Sequence, residues 1–484
     1  MKAERYIQIF EQAGQSSTET IPRLIQPLRA IYGDGHHILT AQIPRYLEAL
    51  RRYAAVYGDA QKVILVRAPG RVDLIGSHTD YHQGYVLPMA LDKHTILVAG
   101  KRSDTRIVLH NTDAQFPPTD FWLEPQIPLS PKGHWENYVK AAAQAFVKAY
   151  GIESLSGMNV VVEGRPPYGT PVAAGLSSSS ALLIAAAIAL AELNAISMAP
   201  KTLARFCGEA EWYVGTRGGF MDHFTSILNQ QGHALFLDCR PVQISGLETF
   251  RTEHIPIPPG YAVAVCNTNV KKQKSASSEY NTRALECRIG VELLKPHVPG
   301  VRYLRDVPAE TPLHQFLPVA TTYDKLTHLL DPNLVDSLFQ DYTVVVSQPL
   351  KILPRCRHVI AENARVLHAC ELLKAAEMDA FGAVMTDSYH SISDDFEASC
   401  PELDTMIASA LECAGTLGAR IAGAGWGGCA VVLVEDAEAA HFQAHLAETY
   451  SRQTGLQADI FLCQPGQGAG VVSLEGEDKD HETS

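Results

Sequence analysis

The residues of this chain best suited to chemistry lie in one stretch, RAPGRVDLIGSHTDYHQGYVLPMAL at 67–91, where Arg71, Asp73, His78, Thr79 and Asp80 fall within ten residues. Arg71 stays charged at any working pH and can face a phosphate, while Asp80 and His78 offer the paired acceptors that a neutral polyol needs for its hydroxyls. The plainer reading is a solvated loop in which one guanidinium holds two carboxylates. Either way, two elements must position these side chains. Residues 63–66 form a short apolar run and 86–90 begin another, so the polar stretch is expected to connect two strands. Pro69 and Gly70 punctuate its entry.

A second stretch, PVAAGLSSSSALLIAAAIALAEL at 171–193, has a loop of small residues, four consecutive serines and then a long alanine-rich helix. A helix start leaves its first N–H groups unpaired and carries partial positive charge, so a loop of Ala173, Ala174 and Gly175 can admit a phosphate close to those donors. Serine hydroxyls there can add donors to the phosphate or a ligand to Mg²⁺. A plain helix cap needs only one serine, and four favour the anion site. No GxxxxGK[ST] sequence occurs, so this is not a P-loop.

Three further segments carry polar residues next to turns. Asp222 follows a glycine turn in GGFMDHF, where an isolated aspartate could simply cap a helix, and Glu209 and Glu211 lie upstream, where solvent-facing helix charges are the plain alternative. Tyr280 stands in KSASSEYNTRALECR; a phenol can both pack on a sugar face and donate a hydrogen bond. In GARIAGAGWGGCAVVLV, Gly423, Gly425 and Gly428 spell G-x-G-x-x-G. A helix is expected before these glycines and a strand after them, the wrong order for a dinucleotide fold.

The composition is globular, with 484 residues and 46% hydrophobic content, enough for two domains. A formal charge of -13 argues against nucleic acid or an anionic membrane as partner. The first residues show no secretory signal, no apolar run is long enough to span a bilayer, and ten scattered cysteines lack CxxC pairing, so a cytoplasmic protein with reduced thiols is expected.

Taken together, these motifs resemble those of the galactokinase branch of the GHMP small-molecule kinases. GRVDLIGSHTDY is similar to that family's sugar motif. Pro171, Gly175, Leu176, Ser177, Ser178 and Ser179 match its PxGxGLSSSA run, with Ala173 for the first glycine. Gly219 and Asp222 match CGIMDQ, with His223 for glutamine, and SSEYNTR and the C-terminal glycine motif follow in the family's order. The resemblance implies an α+β fold of two GHMP domains with mixed sheets and an active site in the interdomain cleft. It implies ATP and Mg²⁺ as cofactors, a small-molecule sugar substrate, and phosphoryl transfer to an anomeric hydroxyl. Arg71 and Asp222 would be catalytic, and Ser77, His78, Thr79, Asp80, Gly219 and Tyr280 would meet the sugar. The 173–179 loop would hold the nucleotide, and Ser179 with Glu211, or Glu209 by a different register, would hold the metal. Ser77 replaces the glutamate of GEHTDY, which in the family contacts the sugar near its C6 end. That substitution points to a shifted or broadened substrate: galactose, or a uronate or pentose such as galacturonate, glucuronate or L-arabinose. A catalytically silent sugar sensor is the rival from another class.

The expected division is a helical extension at 1–60, an N-terminal kinase domain at 61–255 and a C-terminal kinase domain at 256–470. A folded insertion near 308–354 lies in the latter, and a disordered acidic tail at 471–484 ends the chain.

Overall fold

The computed structural model describes residues 1–15, 23–33, 36–172, 175–215, 219–244, 247–270, 276–342, 344 and 349–474. By contacts the chain divides into two compact units, one of 1–71, 89–233 and 465–484 and the other of 72–88 and 234–464. This differs from a single cut at 255/256: residues 72–88 belong with the second unit, and the chain after 464 returns to the first.

Strand β1 (Ile64–Ile75) runs straight through Pro69, Gly70, Arg71 and Asp73, which the sequence reading had placed in a connection. β2 (Tyr85–Lys101), β3 (Arg106–Asn111), β4 (Thr119–Trp122) and β5 (Met158–Glu163) follow. In the first unit β5 lies antiparallel to β2, pairing Val161 with Val98, and parallel to β3, pairing Val160 with Leu109. The helix Ser178–Leu193 is apolar around its whole circumference and is accordingly buried along most of its length.

The N-terminal segment is part of this unit's core. Helices Ala3–Gln15 and His36–Tyr57 bury Tyr6, Phe10, Tyr46, Leu50 and Tyr53 in one cluster with Leu65, Ile96, Val98 and Val161 of the strands. Phe10 and Tyr46 stack with ring centroids 5.0 Å apart. Beneath them Arg45 donates to the His94 carbonyl at 2.8 Å and to Glu163 at 3.3 Å, tying the helix to β2 and β5.

The second unit contains β6 (His233–Ile244), β7 (Leu247–Pro256), β8 (Tyr261–Asn267), β9 (Thr416–Ala422), β10 (Cys429–Glu435) and β11 (Asp459–Cys463). A four-stranded antiparallel sheet in the order β11-β8-β10-β9 is its frame. Helices Ile352–Lys374, Met378–Asp394 and Pro401–Leu411 supply buried residues to the same core. Within the expected insertion, helices Tyr323–Leu329 and Pro332–Tyr342 send Leu326, Val335 and Leu338 into that core.

Two further expectations need correction. The glycine motif is preceded by strand β9, not by a helix, so it is the tip of a β9–β10 hairpin. Residues 471–474 are not tail: β12 (Gly470–Val471) pairs Val471 with Val66, and Val472 and Leu474 are buried. The remainder of the tail, 475–484, lies outside the described residues.

Candidate functional site

In the first unit β1 delivers Arg71 to the start of helix Met221–Leu228. The guanidinium donates to Asp222 through both edges, Nε to Oδ1 at 2.7 Å and Nη2 to Oδ2 at 2.7 Å. Its third nitrogen donates to the Gly175 carbonyl at 3.0 Å, and Ser177 Oγ donates to Asp222 Oδ2 at 2.6 Å. A bidentate pair of this kind fixes direction as well as charge. Burial pushes the Asp222 carboxyl up, but the Arg71 charge, the Ser177 hydrogen bond and the His223 ring outweigh it and hold the group below the usual carboxylate range. Asp222 is therefore ionised and aimed.

The serine loop is pressed close to β1. A Cβ added at Gly70 would lie 2.5 Å from the Leu176 carbonyl and 2.6 Å from Thr170 Cγ2, so glycine is required for the approach. Arg71 N–H bonds the same carbonyl at 3.2 Å. Gly175 and Ser177 both take positive φ, 71° and 55°, which turns the chain into the helix that begins at Ser178. Ser178 and Ser179 occupy its first turn and are half-buried. Ala173 and Ala174 lie outside the described residues. Gly219 is half-buried ahead of the Asp222 helix.

Glu211, at the end of helix Pro200–Glu211, faces inward: it accepts from Ser180 Oγ at 3.1 Å and its other oxygen lies 3.2 Å from His223 Nε2. Glu209 instead pairs with Arg205 on the exposed face. Of the two glutamates, only Glu211 shares a neighbourhood with the serine helix. Among the described residues no group of three His, Cys, Asp or Glu forms a ready-made metal cage. An inward carboxylate beside a serine-rich helix start still fits Mg²⁺, which characteristically takes one or two carboxylates and completes its shell with phosphates and water.

In the second unit, the turn after β1 carries Ser77, His78, Thr79 and Asp80. His78 has φ 65° and is packed against Phe396, with centroids 4.5 Å apart, and near Tyr280 and Trp426. Its Nε2 faces the Ala424 carbonyl at 3.1 Å, an acceptor only, so this nitrogen carries the proton and Nδ1 accepts from Tyr81 at 2.8 Å. Burial, first, then the neighbouring His358, pull its basicity far down, and the ring is neutral. Thr79 Oγ1 is within 2.7 Å of the Gly76 carbonyl and 2.6 Å of the Tyr85 carbonyl, holding the turn closed. Asp80 and Tyr280 are half-buried. The glycine hairpin is brought to the same place: Gly425 has φ 81°, and the Trp426 N–H bonds the Ala398 carbonyl at 2.7 Å.

Ser77 is buried, with its hydroxyl 3.0 Å from Asp73 Oδ2 and bonded by Arg420 Nη2. Sequence reasoning did not single out Arg420, Glu362 or Ser388 around it. The available signal was a lone arginine inside an otherwise apolar strand, ARIA, which a half-buried sheet does not accept without an acidic partner.

Three family descriptions match the chain: a galactokinase galactose-binding signature over 51–101, a GHMP kinase N-terminal domain over 137–230 and a GHMP kinase C-terminal domain over 369–452. A galactokinase of Roseiflexus sp. (strain RS-1) is 35% identical, covering 88% of this chain and 97% of that protein. The chain belongs to the galactokinase family of the GHMP kinases. A galactokinase of Chloroflexus aggregans is 34% identical over 86% of this chain and 95% of its own. Among solved structures, Lactococcus lactis galactokinase complexed with galactose superposes with a TM-score of 0.70 at 28% identity, covering 87% of this chain and 98% of that one. Methanococcus jannaschii mevalonate kinase, at 15% identity and a TM-score of 0.50 over 84% and 98% of the two chains, shares the fold. No described helix is long and apolar enough to cross a membrane.

Proposed function

We propose that this protein is an ATP-dependent sugar kinase that moves the γ-phosphoryl group of ATP to the anomeric hydroxyl of galactose. The observation that carries this reading is the Arg71–Asp222 pair, doubly hydrogen-bonded and braced by Ser177 in a family member whose relatives are galactokinases.

Phosphoryl transfer asks a protein mainly for alignment and charge stabilisation. Asp222, held ionised, accepts or orients the proton of the sugar hydroxyl as the oxygen attacks. Arg71 fixes the carboxylate's direction and its positive charge favours the charge spreading over the transferred group. Gly175, Leu176 and Ser177 to Ser179, with Ala173 and Ala174, form the nucleotide loop, whose helix N-terminus suits phosphate oxygens. Asp80, Gly219 and Tyr280 are assigned to sugar binding, and His78 and Thr79, buried and bonded to Tyr81, Ala424, Gly76 and Tyr85, hold the turn that carries Asp80. Ser179 and Glu211 would hold Mg²⁺, which neutralises phosphate charge when bound. The ten cysteines are thiols rather than disulfides, which supports a reducing compartment, the cytoplasm.

The test is ADP release with Mg·ATP across galactose, galacturonate, glucuronate, L-arabinose and N-acetylgalactosamine, for wild type and Asp222→Asn. Galactose giving the highest kcat/KM, abolished by the substitution, is the expected result. A uronate or pentose in first place would transfer the reading to that sugar, which the serine at position 77 leaves open. No turnover with any sugar would leave a binding protein.

A further inference from the structure

The three matched family descriptions begin at residue 51, so the N-terminal helices lie largely ahead of all of them. Their contact with the rest of the first unit is not purely apolar. On the helix His36–Tyr57, Arg45 is buried, a position that a guanidinium accepts only with partners around it. All three of its nitrogens are engaged. Nη1 donates to Gln42 Oε1 at 2.9 Å and to His94 Nε2 at 3.0 Å, Nη2 to the His94 carbonyl at 2.8 Å, and Nε to Glu163 Oε1 at 3.3 Å. An arginine cannot accept, so His94 Nε2 is the acceptor, and Nδ1 carries the proton that it gives to the Asp92 carbonyl at 3.2 Å. Tyr32 closes the network, its hydroxyl 2.9 Å from the same Nε2 and 2.7 Å from the Tyr46 hydroxyl.

His94 and Glu163 are also where the connection from β5 to the serine helix, 164–177, is held. Glu163 ends β5 and takes the Arg165 N–H at 3.2 Å and Arg165 Nε at 3.0 Å, which fixes the start of the connection. The His94 N–H donates to the Tyr168 carbonyl at 3.0 Å, and the adjacent Lys93 carbonyl accepts Thr170 Oγ1 at 3.2 Å, so β2 fixes its middle. Its far end meets the candidate catalytic residues directly. The Arg71 N–H bonds the Leu176 carbonyl, Arg71 Nη1 bonds the Gly175 carbonyl, and Ser177 Oγ bonds Asp222.

We propose that Arg45, backed by Tyr32, is a positioning residue for the nucleotide loop: from the N-terminal helices it grips β2 at His94 and β5 at Glu163, and so sets where Gly175 and Ser177 meet Arg71 and Asp222. The N-terminal helices thereby act on nucleotide use rather than on the sugar, since no member of the network lies on the turn 77–80. A displacement of about 1 Å at a reacting centre costs about a hundredfold in rate, which gives a brace one step removed its leverage. The inference rests on the sugar-kinase reading for its kinetic arm only.

The experiment compares wild type with three variants. Arg45→Met keeps the apolar bulk but makes none of these bonds, Arg45→Lys keeps the charge, and Leu50→Ala opens the core of the same helix without removing any of these hydrogen bonds. Each is taken through thermal melting, amide hydrogen exchange over 164–177, and KM and kcat for Mg·ATP and for galactose well below the melting temperature. Arg45→Met and Leu50→Ala are both expected to melt lower. Only Arg45→Met is expected to speed exchange over 164–177 and to lower kcat/KM for Mg·ATP by about ten- to a hundredfold, with the galactose KM within about threefold. Arg45→Lys has a single nitrogen to divide between His94 and Glu163, so it falls between Arg45→Met and wild type; it carries the same comparison should Arg45→Met fail to fold. Arg45 variants that match Leu50→Ala in exchange and in kcat/KM for Mg·ATP, or that raise the galactose KM instead, would overturn the proposal. If wild type phosphorylates no sugar, the function assigned above fails, while the exchange comparison still decides whether Arg45 holds the loop.

Discussion

Asp222→Asn separates the chemical role of the carboxylate from its structural one. Oδ1 takes Arg71 Nε at 2.7 Å, while Oδ2 takes Arg71 Nη2 at 2.7 Å and Ser177 Oγ at 2.6 Å. An amide of the same shape has one acceptor and one donor, so whichever way it turns, an NH₂ group opposes a guanidinium N–H. One charge-assisted bond is lost, which costs the fold about 1.5–3 kcal/mol, in a pair that is only partly exposed. The chemical loss is distinct and larger. Removing a positioned general base lowers the rate by about a hundred- to ten-thousandfold, or about 3–5 kcal/mol of barrier. The expected outcome is therefore a folded variant, melting somewhat lower, with kcat for galactose down by that factor and KM within about threefold, since the carboxylate contributes chiefly in the transition state. Steady-state ADP release with saturating Mg·ATP, together with the melting curve, reads both effects. A folded variant retaining kcat within about tenfold of wild type would refute the assignment, because a lesser loss falls outside what general-base removal produces.

Removing Arg71 with Arg71→Met leaves burial as the dominant influence on Asp222, and burial acts upward; the acid limb of kcat/KM moves to higher pH, and an unmoved limb would mean that another group is the base. Gly70→Ala puts a Cβ 2.5 Å from a backbone carbonyl that cannot rotate away; it costs about 1–3 kcal/mol in stability by denaturant titration, or is innocuous if β1 and the serine loop can separate. The Glu362 carboxyl titrates near 2, with burial acting upward and Arg365 and Arg420 outweighing it. Its folded value is depressed below the unfolded value of about 4.3, so its stabilisation is full above that pH and fades as pH falls towards 2. Glu362→Gln accordingly costs about 3–5 kcal/mol at pH 7, with a difference from wild type that shrinks in acid; a pH-independent difference would contradict the cause. Glu211→Gln raises the Mg²⁺ concentration needed for half-maximal rate by about tenfold while Glu209→Gln does not, which a Mg²⁺ titration checks directly.

The motifs were legible because each concentrates residues that a core rejects and a phosphate or sugar welcomes, and their order along the chain identified the fold. What escaped was conformation at positions where local signals conflict. Pro69 and Gly70 read as punctuation, yet β1 continues through them; β12 pairs only with residues 66 and 67, so no ladder bond from β12 is lost at Pro69, and Gly70 is needed for the approach of the Leu176 carbonyl. ARIA before the hairpin glycines is too short for its period to separate helix from strand, and the ladder with β10 decides it. Gly470 and Val471 read as the edge of a polar tail because a two-residue strand has no periodicity of its own; it forms because Val66 and Arg67 offer an open edge.

Position 77 shows a different limit. Along the chain, a serine in place of glutamate subtracts a charge from a sugar motif, and a change of substrate is the natural reading. In three dimensions the residue that gives the substitution meaning is Arg420, 343 positions away, and its charge is already matched by Asp73 and Glu362. In the folded chain the serine hydroxyl meets an arginine that no local pattern could have paired with it.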